Sequence, residues 1–135
     1  MTKQNRTIAH IAIYRKDEHA YGFGCELLDA NSYEDYFIAS MYLPFTEYPN
    51  IRQVLHHMIP MILAEVPDDH TSVTFYANLK QFRPHRDLVR KNQRFAIGKT
   101  LIFKEMQQVR RTAIMLAIDA LTDCRRNSIT ERLER

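Results

Sequence analysis

The feature that most constrains this 135-residue chain is a change of hydrophobic period at Asn50. Before it lie three segments that read as strands. Residues 7 to 14 form an apolar run rich in β-branched side chains and short enough for a buried strand. Residues 20 to 28 alternate Tyr21, Phe23, Cys25 and Leu27 with Gly22, Gly24, Glu26 and Leu28, a strand with one thin face. Residues 35 to 43 alternate in the same way. The charged cluster Arg15 to His19 and the turn chemistry of Ala30-Asn31-Ser32 separate the three, which predicts an antiparallel meander.

From Asn50, a natural N-cap, Ile51, Val54, Leu55, Met58 and Ile62 fall at helical spacing. Pro60 lacks the amide that would bond the His56 carbonyl, so it is expected to kink or shorten this helix. Residues 71 to 77 read as a fourth strand, and a strand after a helix favours a crossover to a parallel neighbour. The stretch 79 to 94 reads as irregular or weakly helical around Pro84, with Phe95-Ala96-Ile97 a short fifth strand. Ile102, Met106, Val109, Ala113, Leu116 and Ala120 follow a 4-3-4-3-4 spacing that predicts a long helix over 100 to 123. Ser128 and Glu131 form a capping-box pattern for a last helical turn. The expected class is α+β: a three-stranded antiparallel meander extended to a mixed sheet, packed by a central helix and a long C-terminal helix.

With three glycines and no proline-rich or serine-rich run, residues 1 to 135 read as a single domain. The polar N-terminus and the lack of a long apolar stretch predict a cytoplasmic protein without a membrane partner. Cys25 and Cys124 lie far apart and read as free thiols.

Ile13-Tyr14 closing the first strand, Tyr21-Gly22-Phe23-Gly24 opening the second and Val73 to Asn78 in the fourth resemble the corresponding places in ribonuclease H-like domains. The element order over residues 7 to 123 is similar as well. Members of that family that cut nucleic acid hold two divalent metals on carboxylates. The resemblance places Arg15 or Lys16 at the first-strand acid, with Asp17 slightly late, and Asn78 at the fourth-strand acid. It places Arg52, Gln53 and His56 where the first helix needs a glutamate, Glu65 lying past Pro60. Only Asp119 or Asp123 could serve as the late acid. The expectation is a domain without the family's metal-binding carboxylates: no catalytic residue, no metal and no cofactor. A metal-dependent nuclease with relocated acids such as Asp17 and Asp119 is the alternative.

Other motifs carry less. Gly98-Lys99-Thr100 resembles the end of a phosphate loop, but Gln93 stands where its first glycine is needed. A loop-to-helix junction with Thr100 as N-cap is expected, leaving Lys99 one phosphate contact. His56 and His57 adjoin on one helix and cannot share a metal. Asp68-Asp69-His70 is ordinary turn composition.

Charge supplies the functional expectation. Residues 1 to 79 carry 5 Lys/Arg against 10 Asp/Glu, and residues 80 to 135 carry 14 against 6, giving −5 and +8 within a net +3. The excess concentrates in a basic connection over 80 to 99. There Lys80, Arg83, Arg86, Arg90, Lys91, Arg94 and Lys99 would neutralise phosphates, while Phe82 and Phe95 would stack on bases. A non-enzymatic nucleic-acid-binding (DNA or RNA) or adaptor protein is expected. The competing reading is an interaction module, an inhibitor or assembly subunit, docking an acidic protein. The stripe on the C-terminal helix packs on the sheet or forms a homodimer seam.

Overall fold

The structure, a computed structural model, describes residues 5–83, 85–123 and 129–133. Strands β1 (Arg6–Lys16), β2 (Ala20–Asp29) and β3 (Asp35–Pro44) form the expected antiparallel meander. Helix α1 (Ile51–Glu65) leads to β4 (Ser72–Ala77), which pairs parallel to β1. A short 3-10 turn (Lys80–Phe82), helix α2 (His85–Ala96), β5 (Thr100–Glu105), helix α3 (Arg111–Asp123) and β6 (Ile129–Arg132) complete the described chain. The sheet has six strands in the order β5-β4-β1-β2-β3-β6.

One face of this sheet carries the larger core. Ala9, Ile11 and Ile13 of β1, Phe23, Cys25 and Leu27 of β2, and Val73 and Phe75 of β4 meet Val54, Leu55, Met58 and Ile62 of α1. Asn50 caps α1 as expected, its Oδ1 accepting the Gln53 amide at 3.0 Å. Pro60 does not end the helix. It is partly exposed and His56 exposed, so the lost bond falls on the wet side, where water can take the freed carbonyl.

On the other face α3 crosses β1, β2 and β3. The thin face of β2 explains the seating. A Cβ on Gly24 would overlap the Ala113 carbonyl oxygen and lie 2.5 Å from the Ala117 nitrogen; one on Gly22 would overlap the Ala117 carbonyl oxygen. Ala113, Ala117 and Ala120 are buried there, and the Ser40 hydroxyl donates to the Leu116 carbonyl at 2.7 Å. Of the stripe considered for a dimer seam, Val109, Ala113 and Ala120 are buried within the chain itself.

Four expectations fail after residue 79. Of the two readings of the basic stretch the helical one holds, as α2, but Phe95 and Ala96 close that helix instead of forming a strand. The predicted long helix is two elements: 100 to 105 is β5, with Leu101 and Phe103 buried and Ile102 outward. Its parallel pairing with β4 outweighs a helical spacing that contained Ile102 by coincidence. Thr100 therefore opens a strand and caps no helix. Residues 129 to 132 pair antiparallel with β3 through backbone bonds, so the last element is a strand and no helical turn. Pro84, Cys124 and Ser128 lie outside the described residues. Among the described residues no helix is long and apolar enough to cross a membrane.

Candidate nucleic-acid interface

Helix α2 lies over β5 and beside α1. Its inner side is narrow: Asn92 and Ala96 are buried, and Leu88, Val89 and Phe95 are partly buried. At 100° per residue these side chains leave the outer face to Arg86, Arg90 and Arg94, with Lys91 on the flank towards α1. All four are exposed, as are Lys80 and Arg83 on the preceding turn. Two cations are already paired. Arg83 contacts Glu105 at 2.8 Å, and Arg90 contacts Asp87 at 3.3 Å. Arg94 lies over the Phe95 ring, 4.6 Å from its centroid. Among the described residues no carboxylate lies within salt-bridge distance of Lys80, Arg86, Lys91 or Arg94.

Three sequence-level assignments change at this surface. Phe82 is 1% exposed and meets Phe103 edge-on at 5.3 Å, so its ring is core and no base can reach it. Phe95 is half-buried, with one side on the core and Arg94 on the other. Lys99 follows the turn formed by Ile97 and Gly98, both at positive φ. Its ammonium donates to the carbonyls of Pro67, Asp68 and His70, which spends its three protons on the loop entering β4.

A cleft borders each side of α2. Towards α1, one of about 480 Å³ is lined by Arg52, Gln53, Leu55, His56, Gln81, Asp87, Leu88, Lys91 and Asn92. Towards β5, one of about 470 Å³ is lined by Arg86, Val89, Arg90, Gln93 and Leu101. The basic helix is therefore the ridge between two grooves. Asn92 is unusual in the first, being 5% exposed. Its Nδ2 donates to the Leu88 carbonyl at 2.9 Å, and among the described residues none donates to its Oδ1.

The side chain of Asp123 lies outside those described; among the described ones, the acids sought from the resemblance do not converge. The β1–β4 register sets Ile11 opposite Ala77, so Ala12, and not Arg15 or Lys16, stands level with Asn78. Arg15 is three residues further along, about 10 Å at 3.3 Å per residue. The Asn78 Oδ1 accepts the Ile13 amide at 3.4 Å. Ala12 is packed against Val109, Ala113 and Ala117, an apolar contact where ligands would be needed. Asp17 is exposed in the β1–β2 turn and Asp119 on the outer side of α3. Among the described residues, no three His, Cys, Asp or Glu side chains are placed to hold a metal ion. Hard divalent cations need several oxygen ligands, so this donor set does not fit them.

A buried polar cluster that sequence reasoning missed lies close by. The Arg110 Nε donates to Glu26 Oε1 at 2.6 Å, and its backbone amide donates to His10 Nδ1 at 3.3 Å. Glu26 is 1% exposed and His10 stacks on Tyr76 at 5.3 Å. Burial pushes the Glu26 carboxyl above its ordinary range; the Arg110 hydrogen bond opposes this and Asp35 adds to it. Burial, and then the Arg110 charge, lower His10 to about 4, so the ring is neutral with its proton on Nε2. The cluster ties the start of α3 to β1 and β2. A second chain runs from Tyr36 through Thr7 to His70, at 2.8 and 2.7 Å, and holds the turn before β4. His70 thus belongs to a structural turn, as Asp68-Asp69-His70 suggested. The one signal for the first cluster was Glu26 itself, an acid inside an otherwise apolar strand.

No known family profile matches the chain, and no curated protein does. Among solved structures it is similar to the N-terminal RNase H domain of Rv2228c from Mycobacterium tuberculosis, determined as a fusion with maltose-binding protein. The TM-score is 0.53 at 15% identity, over 84% of this chain and 97% of that chain. Identity this low speaks for architecture alone. With the parallel β1–β4–β5 core, the antiparallel meander and helices on both sheet faces, the chain has a ribonuclease H-like fold.

Proposed function

We propose that the protein binds nucleic acid through the ridge of α2 and the adjoining Lys80 turn, acting as a binding or adaptor protein and not as a metal-dependent nuclease. The observation that carries this is the outward alignment of Arg86, Arg90, Lys91 and Arg94 on one helix whose single acid, Asp87, offsets only Arg90. Arg86, Arg90 and Arg94 recur every fourth residue, about 6 Å per step along the helix. Such a row neutralises successive phosphates and releases their counterions. Phe82 and Lys99 drop out of the interface, and Arg83 contributes only when it leaves Glu105.

Fluorescence anisotropy with labelled DNA and RNA tests the reading. Reversing Arg86, Lys91 and Arg94 together to Glu is expected to lower affinity by at least about 100-fold, because each lost phosphate contact removes its counterion release. Unchanged affinity would refute the ridge. Co-purification of an acidic protein without absorbance at 260 nm would favour the protein-partner reading of the same surface.

A further inference from the structure

We propose that the cleft between α1 and α2 receives one unpaired nucleotide of the bound strand, so that the protein selects single-stranded over duplex nucleic acid. This rests on the ridge reading above and adds a ligand class to it. Four observations converge on the cleft. Its volume, about 480 Å³, lies in the range of small-molecule sites. Leu55 and Leu88 supply an apolar surface on which a base can lie. Arg52 on α1 and Lys91 on α2 place a cation on each wall, where the flanking phosphates of an inserted nucleotide would pass. Asp87 also lines the cleft, and its carboxylate is engaged by Arg90.

The fourth observation is Asn92. Its side chain is nine-tenths buried, its Nδ2 is committed to the helix, and its Oδ1, at the cleft wall, accepts from no other described residue. Because no buried side-chain oxygen or nitrogen among the described residues lacks a partner, that oxygen is open to the cleft. An acceptor that opens into the cleft from a side chain otherwise buried is placed to take an N–H donor of a ligand. Every nucleobase carries such a donor on its pairing edge; in a duplex the complementary base takes it, and the amino N–H left over faces a groove from a base held in the stack. Only a base that has left the stack can lie on Leu55 and Leu88 and bring that edge to Asn92. A duplex can lie along the ridge but cannot fill the cleft.

The test compares a labelled single strand and a blunt duplex of equal length at one salt concentration, with wild-type protein, Asn92→Leu and Arg52→Gln. Wild type is expected to bind the single strand about tenfold more tightly, the order expected of one stacked base. Asn92→Leu should bring the ratio of the two affinities close to one. Arg52→Gln, on an exposed position that does not endanger folding, should lower the ratio as well. Equal affinity of wild type for both probes, or a preference that survives both substitutions, overturns the cleft assignment and leaves the ridge standing. Absence of salt-dependent binding to either probe overturns the ridge and the cleft together.

Discussion

Gly24→Ala is the sharpest perturbation of the fold. The added Cβ would overlap the Ala113 carbonyl oxygen and stand 2.5 Å from the Ala117 nitrogen and 3.0 Å from Leu116 Cβ. A carbon–oxygen contact needs about 3.3 Å, so a helix backbone has to retreat by about 1 Å. No rotamer change can absorb that, since two of the three obstacles are main-chain atoms. A gap of about that size forfeits roughly a quarter to a half of each dispersion contact along the seam. It also strains the Ser40 bond to Leu116 and the Arg110 bond to Glu26. The sum lies at the upper end of overpacking costs, about 3 kcal/mol. For a chain of this length that is a fall in Tm of roughly 10 °C. Urea unfolding followed by far-UV circular dichroism reads it directly, and tyrosine fluorescence serves as a second probe because the chain has 7 Tyr and no Trp. Gly98→Ala is the control: nothing lies within 4 Å of its added Cβ, but φ is +81°, so the cost is backbone strain of about 1 kcal/mol. If Gly24→Ala costs no more than Gly98→Ala, α3 is not seated on the glycine face.

Other outcomes follow from single contacts. Lys99→Met should destabilise by about 2 kcal/mol, because three carbonyls lose a charged donor, while nucleic-acid affinity stays unchanged. Ile97→Asn should stabilise by about 0.5–1 kcal/mol in the same unfolding assay: Ile97 is 87% exposed with φ 49°, a conformation that Asn tolerates better than a β-branched residue. His10 is held below its unfolded value, so the folded state binds fewer protons than the unfolded chain between pH 6.5 and about 4. Its contribution to stability is therefore present above pH 6.5 and lost as pH falls through that window. The stability gap between wild type and His10→Gln, measured by urea titration at several pH values, should shrink accordingly; a gap that widens below pH 6 would contradict the assignment.

The first 79 residues were legible because each element there repeats its period several times. In β2 the thin face of Gly22 and Gly24 was visible too, although its purpose, the close approach of α3, appears only with the partner in place. The second half hid its elements for three distinct reasons. Helix α2 buries a polar residue, Asn92, at the centre of its inner side, so its apolar stripe of Leu88, Phe95 and Ala96 is broken and its charge dominates. Strand β5 shows period two only over Leu101 to Lys104, too briefly to compete with a helical spacing that continues into α3. Strand β6 is fixed by backbone bonds to the edge of β3, which leave no side-chain pattern. For the candidate site, charge density pointed to α2, but long-range contacts withdrew residues from the proposed surface. Phe82 was claimed by Phe103, Lys99 by three carbonyls and Arg83 by Glu105, none of which is near in sequence.

The salt dependence of nucleic-acid binding tests the central claim most directly. Four outward cations, Arg86, Arg90, Lys91 and Arg94, predict that log Kobs falls with log salt at a slope of roughly −3 to −4. Between 50 and 200 mM salt, affinity should therefore drop by about 60- to 250-fold. A slope near zero, or no binding at the lowest salt, would contradict the account.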